Sequence, residues 1–247
     1  SKQDYPSSAI LSTLGVPDHF MFDYAIPRLT DVARSGKKFC AFMMTGSNHT
    51  PYTVPGDIAF KPKHPDYRGG CVEYADWSIG QFLQKASAQK WFSNTVFVFV
   101  ADHGALEGIN YGGMSLGYDH IPLIIYAPAL IKSPVEIKSP GGQIDVYPTV
   151  AGLLGLSYIN NTMGVDLLHH SRPYICFSQD SRLCAADTQN LYIWQNKGTE
   201  CLYKLDNNAS PIALTGNKRA DSMKQFAFSM LQATQWLIDN RKCGQVK

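Results

Sequence analysis

Apolar positions fall along the chain in three patterns. Val96 to Ala101 is an unbroken run rich in Val and Phe, without the alternation of a half-buried strand. Such a run predicts a strand covered on both faces, as in the parallel part of an α/β sheet. Phe39 to Met44 predicts a second buried strand, and Ile121 to Ala127 a third, with Pro122 placing its first residues at an edge or strand entry. In Cys71 to Trp91 the apolar residues Val72, Ala75, Ile79, Phe82, Leu83 and Ala86 recur at helical spacing. An earlier helix is predicted from Pro17-Asp18, with Pro27 expected to kink or delay it and Gly36 to close it. A third runs from Gly142 through Leu154 and stops at Gly155.

Residues 51–70 read as an excursion without regular structure, of a length often used for lids or binding loops. The glycine-rich Ala105 to Tyr118 reads as a site border or a plain surface loop. Strand, loop, helix and strand in succession fit a right-handed crossover. Beyond Leu156 the pattern changes to short strands (Tyr174–Phe177, Leu191–Gln195, Cys201–Leu205) and a final helix over about Ala220–Asn240. The expectation is an α/β fold in which residues 1–157 carry a mostly parallel mixed sheet. Residues 158–247 form a C-terminal subdomain with a small antiparallel sheet and a terminal helix.

Composition narrows the partners. The chain of 247 residues is 45% hydrophobic and 17% charged, with a net charge of +2, which suits a large core and gives no basic footprint for nucleic acid. No apolar run reaches the roughly 18 residues of a membrane span, and the start has no signal-peptide pattern. The six cysteines lack C-x-x-C spacing, so a zinc ribbon or thioredoxin motif is not expected. Cys40 and Cys71 fall in apolar patterns and are expected to be buried thiols, whereas the four later ones leave pairing open.

Candidate chemistry sits where two buried runs end. Asp102 offers a hard oxygen ligand and His103 a nitrogen ligand at a strand's carboxyl end, where open α/β sheets bind ligands. Neighbouring strand residues point to opposite faces, so both can reach one ion only if the chain turns, which Gly104 permits. The run ending at Met44 leads into Thr45-Gly46-Ser47-Asn48-His49-Thr50-Pro51, a loop presenting His49. His120 precedes the third strand and either faces the same crevice or is a polar strand start. Gln143 and Asp145 either buttress the site or, for Asp145, serve the helix N-terminus.

Taken together, these residues resemble the later portion of a sulfatase-fold enzyme of the alkaline phosphatase superfamily, closest to the lipoteichoic acid synthase and phosphoglycerol transferase branch. The matching blocks run in order: Gly15-Val16-Pro17-Asp18, the loop around His49, Tyr74 to Phe82, Asn94 to Gly104, His120 to Ile125, Gln143 to Thr149, and Met163 to Leu168. The resemblance implies an α/β/α sandwich, and a divalent metal (Mn, Mg, Ca or Zn) held by Asp102 and His103. His49 would contact the phosphoryl or sulfuryl group or the group it is transferred to, and His120 would do likewise. It implies a phosphate- or sulfate-ester small molecule or lipid head group as substrate, and an extracytoplasmic enzyme anchored to the membrane through segments outside this chain.

The chain departs from the family's pattern at its start. The Thr nucleophile, or the Cys or Ser of a C/S-x-P-x-R motif, and an acidic metal ligand lie upstream of the first matching block in the family. Ser7, Ser8 and Thr13 lie in no such motif. The chain is therefore expected to be a fragment whose nucleophile lies upstream. Phosphoglycerol-type transfer, sulfuric ester hydrolysis and a non-catalytic binding remnant stay open as functions.

Overall fold

The structure is a computed structural model and describes residues 5–10, 12, 14–196 and 198–243. Its main helices are α1 (Asp18–Arg34), α2 (Tyr67–Ser87), α3 (Leu116–Asp119), α4 (Val146–Leu153) and α5 (Lys218–Asp239). Its strands are β1 (Phe97–Val100), β2 (Asn110–Tyr111), β3 (Met114–Ser115), β4 (Leu123–Tyr126), β5 (Ile175–Gln179), β6 (Arg182–Ala186), β7 (Asn190–Gln195), β8 (Glu200–Lys204) and β9 (Pro211–Ile212). Residue contacts divide these into two compact units, 1–96 with 127–129, and 97–126 with 130–247.

The first unit is built on α1 and α2. Their apolar stripes meet where Phe22 stacks on Phe82, ring centroids 4.9 Å apart. Trp91 ties the pair further by donating its indole N–H to Thr30 Oγ1 at 2.9 Å. Pro27 neither delays nor ends α1, which runs through it for 17 residues. Proline removes an N–H and crowds the preceding turn, and here side chains serve the carbonyls around it. Arg28 donates to the Tyr24 carbonyl at 2.9 Å and Thr30 to that of Ile26 at 2.8 Å. The second helix starts at Tyr67, within the stretch expected to be irregular, because the Asp66 side chain accepts the Gly69 N–H at 2.8 Å and caps it.

Phe39 to Met44 does not form the expected buried strand. It belongs to no ladder among the described residues, and Phe42 and Met44 are 94% and 85% exposed. Apolar sequence favours burial only where another element covers it. Cys40, within this segment, is exposed for the same reason, while Cys71 on α2 is buried as expected.

In the second unit β1 pairs antiparallel with β4, Phe97 opposite Tyr126 and Val100 opposite Leu123. Every ladder among the described residues is antiparallel, so the parallel pairing expected for this run is not among them. The sheet β5-β6-β7-β8-β9 is larger than the pattern after Leu156 suggests. Alternation along β6 explains its place. Leu183 and Ala185 face Ala220, Met223 and Ala227 of α5. Cys184 and Ala186 face Tyr111 and Met114 on the other side. Thus Ala105 to Tyr118 is not a plain loop: the β2–β3 hairpin and α3 cover one face of this sheet. Burial pushes the Cys184 thiol up to about 12, which keeps it protonated at neutral pH. All six cysteines are free thiols.

The start of α1 is tied to α2 through His19, whose Nδ1 lies 2.5 Å from the Tyr74 hydroxyl. Burial holds the His19 imidazole below its ordinary value of 6.5, against an opposing pull from Asp23. A base with a lowered folded value binds its proton more readily when unfolded. Its contribution to stability is therefore whole above about 6.5 and is lost as the pH falls below it. Thermal unfolding between pH 8 and 5.5 should show a drop in Tm that is smaller in His19→Gln, and parallel curves for the two proteins would contradict the assignment.

Candidate metal and substrate centre

The end of β1 is held from the next turn of chain. Gln143 donates its amide N–H₂ to the carbonyl oxygens of Ala101 and Asp102 at 2.8 and 2.9 Å. Gln143 opens a short 3-10 turn (Gln143–Asp145) that leads into α4. That turn is fixed by Asp145, which is fully buried. Its Oδ2 accepts the Gly142 N–H at 2.9 Å and its Oδ1 the Val165 N–H at 2.8 Å, and Arg172 forms a buried ion pair with it. The expected buttress is therefore present in two layers: Gln143 touches the strand end, and Asp145 holds Gln143's turn.

Past Asp102 the chain turns sharply. The Gly104 N–H donates to the Tyr118 carbonyl at 2.7 Å, and a Cβ on Gly104 would run into the Gly117 carbonyl oxygen. Only glycine allows this approach of two backbones. The turn brings the two candidate ligands to one side. His103 Nε2 and Asp102 Oδ2 are 3.8 Å apart, with side chains 45% and 90% exposed.

His103 is oriented as a metal ligand would be. Its Nδ1 lies 2.8 Å from the Gly104 carbonyl oxygen, which can only accept, so Nδ1 carries the proton. The Nε2 lone pair is then free on the side of the Asp102 carboxylate. In metal-binding histidines a carbonyl bonded to the far ring nitrogen fixes both tautomer and ring in this way. The ring also stacks on Tyr118, centroids 4.5 Å apart at 16°, a support with no signature in the sequence. With ligand bonds of about 2.0–2.2 Å, one divalent ion can reach both atoms. The donor pair fits a divalent ion as part of a ligand set. Among the described residues no group of three or more His, Cys, Asp or Glu could complete it.

His120 lies in the same unit, exposed after α3, with its N–H on the Leu116 carbonyl at 2.8 Å. No hydrogen bond or ring contact joins it to Asp102 or His103 among the described residues. The carboxyl of neighbouring Asp119 is pushed up by burial and then by Asp180.

His49 belongs to the first unit. Its ring is exposed, and Nδ1 lies 2.9 Å from the Thr50 carbonyl oxygen, so Nε2 is left to the outside. It borders a shallow cleft with Gly15, Val16, Gly46, Ser47 and Pro51. Two residues that hold this loop, Asp18 and Ser47, stand in two of the matching blocks, but nothing in the sequence says that they meet.

A profile of the Sulfatase family matches residues 1–156. Steryl-sulfatase of Homo sapiens is 31% identical over 124 residues, which is 43% of this chain and 21% of that protein. The lipoteichoic acid synthase-like protein YvgJ of Bacillus subtilis is 31% identical over 116 residues, 41% of this chain and 19% of that protein. Among solved structures, a protein of the alkaline phosphatase superfamily from Vibrio parahaemolyticus superposes with a TM-score of 0.80 at 21% identity, over 95% of this chain and 58% of that one. The lipoteichoic acid synthase LtaP from Listeria monocytogenes gives 0.72 at 22%, over 95% of this chain and 62% of that one. The chain thus spans about a fifth of these curated relatives. The likeness shows an alkaline-phosphatase-like α/β fold with a small antiparallel sheet and a C-terminal helix.

Proposed function

The chain belongs to the sulfatase family, and we propose that it is the metal- and substrate-contacting part of an enzyme that transfers or hydrolyses a phosphoryl ester of the phosphoglycerol type. The observation that carries this reading is the Asp102–His103 pair. Two atoms able to bind one cation stand at a strand end, one of them held in the ligating tautomer. The cofactor on this reading is one divalent ion of the Mn, Mg, Ca or Zn class. When bound, it offsets negative charge on the transferred group.

The chain's own residues have separate tasks. Asp102 and His103 hold the ion, and Gln143 fixes the backbone between them and β1. Carrying a second proton, on Nε2, His49 donates to a non-bridging oxygen or protonates the leaving group, and His120 assists from the surface of its own unit. The enzyme's nucleophile attacks phosphorus as the ester's P–O bond breaks and its alcohol leaves, and the covalent phospho-enzyme so formed passes the group to water or to an acceptor alcohol. The substrate is a phosphate-ester small molecule or lipid head group, met on the outer side of a membrane to which the whole protein is anchored. No helix among the described residues is long and apolar enough to cross one. On this reading residues 1–157 carry the chemistry and 158–247 form a supporting subdomain, a functional division that differs from the two contact units, which group 97–126 with 130–247.

A second reading, sulfuric ester hydrolysis, is favoured by the likeness to human steryl-sulfatase. Expression of the whole reading frame that encodes this chain, followed by assay with bis-(p-nitrophenyl) phosphate and with p-nitrophenyl sulfate in Mn²⁺, separates the two. Turnover of the phosphodiester alone is the expected result. Turnover of the sulfate alone would select the second reading, and inactivity toward both would leave a binding module.

A further inference from the structure

The loop that presents His49 is gripped from a helix 28 and 29 residues away in sequence. Asp18, the first residue of α1, is 1% exposed, and its Oδ1 accepts the N–H groups of Gly46 and Ser47 at 2.9 and 3.1 Å. Ser47 answers: its Oγ, also buried, accepts the Asp18 N–H at 3.0 Å. Pro17, at the helix N-cap, provides no side-chain cap, so the loop itself caps α1. The clasp is two-way. Immediately after it the chain emerges to solvent, with Asn48, His49 and Thr50 all exposed.

An exposed serine or asparagine would cap a helix adequately. A buried carboxylate is a costlier choice, tolerated because the helix N-terminus and two N–H groups face it. Its second oxygen, Oδ2, is buried without a hydrogen-bond partner, so capacity is left unused in a group that stability alone does not require. What the carboxylate does achieve is to fix the chain direction at Ser47, two residues before His49.

We infer that Asp18, with Ser47, is a positioning residue for His49, holding the loop so that Nε2 is presented to the phosphoryl or sulfuryl oxygens. This rests on the role proposed for His49. Contact with the non-bridging oxygens exists before and during reaction, so loosening it weakens binding more than turnover.

The test uses Asp18→Asn, which keeps shape and removes charge, with Ser47→Ala as a second variant that opens the clasp from the other side. Hydrogen exchange of the Gly46 and Ser47 amides should rise about tenfold or more, and the His49 ring signals should broaden, while α5 amides and His103 are unchanged. In the whole enzyme kcat/KM should fall mainly through KM, and the fall should vanish when His49→Ala is already present. An unchanged exchange rate at Gly46 and Ser47 would overturn the clasp. An equal loss from Asp18→Asn with and without His49→Ala would overturn the positioning role. If His49→Ala alone leaves kcat/KM intact, the role of His49 fails and the positioning role with it, while the exchange data still judge the clasp.

Discussion

Replacing Asp145 by Ala should cost about 3–5 kcal/mol of unfolding free energy, measured by urea denaturation. The carboxylate is fully buried and serves three donors: Gly142 N–H, Val165 N–H and the Arg172 guanidinium. Its loss strands Arg172, whose side chain is only 6% exposed, as an uncompensated buried charge. Arg172→Met should cost a similar amount by the reverse argument. The double variant Asp145→Ala with Arg172→Met removes both charges and should lose clearly less than the two single losses added together. Strict additivity would show that the pair does not act as a unit. Because the Asp145 turn carries Gln143, the single variant should also speed hydrogen exchange after β1, which an isolated core defect would not do.

That two-layer support is only half legible in the sequence. Gln143 can be named because it stands in a short block near the site in a recognisable order, but Arg172 cannot, since nothing in a sequence says which distant cation meets a buried acid. Likewise Asp102, His103 and Gly104 announce themselves by ligand chemistry beside a flexible turn, whereas Tyr118 under the His103 ring does not. Helix periodicity is strong enough to place α1, α2 and α5 to within a few residues. Phe39–Met44 and Val96–Ala101 read as buried because they are apolar, yet Phe42 is 94% and Val100 41% exposed, since burial depends on neighbours that local pattern does not contain. Strand β6 escapes for the opposite reason, its Cys184, Ala185 and Ala186 being too small to stand out although fully or nearly buried.

The largest functional effect should come from Asp102→Ala in the protein expressed from the whole reading frame. The bound ion supplies several kcal/mol of charge stabilisation in enzymes of this kind, so turnover should fall by roughly two to four decades. Metal affinity, followed by Mn²⁺ electron paramagnetic resonance, should fall by more than the roughly 10–100-fold that loss of a hydrogen-bond partner behind a ligand causes. The chain alone offers two candidate ligands 3.8 Å apart, and two are fewer than a closed site needs, so its own Mn²⁺ binding should be weak. Gln143→Ala is the graded companion. It leaves both ligands in place but frees the Ala101 and Asp102 carbonyls, so affinity should fall by less than in Asp102→Ala. Full retention of metal and turnover by Asp102→Ala would exclude this carboxylate as a ligand, and equal losses in the two variants would mean that the strand end, rather than the carboxylate, is what the ion requires.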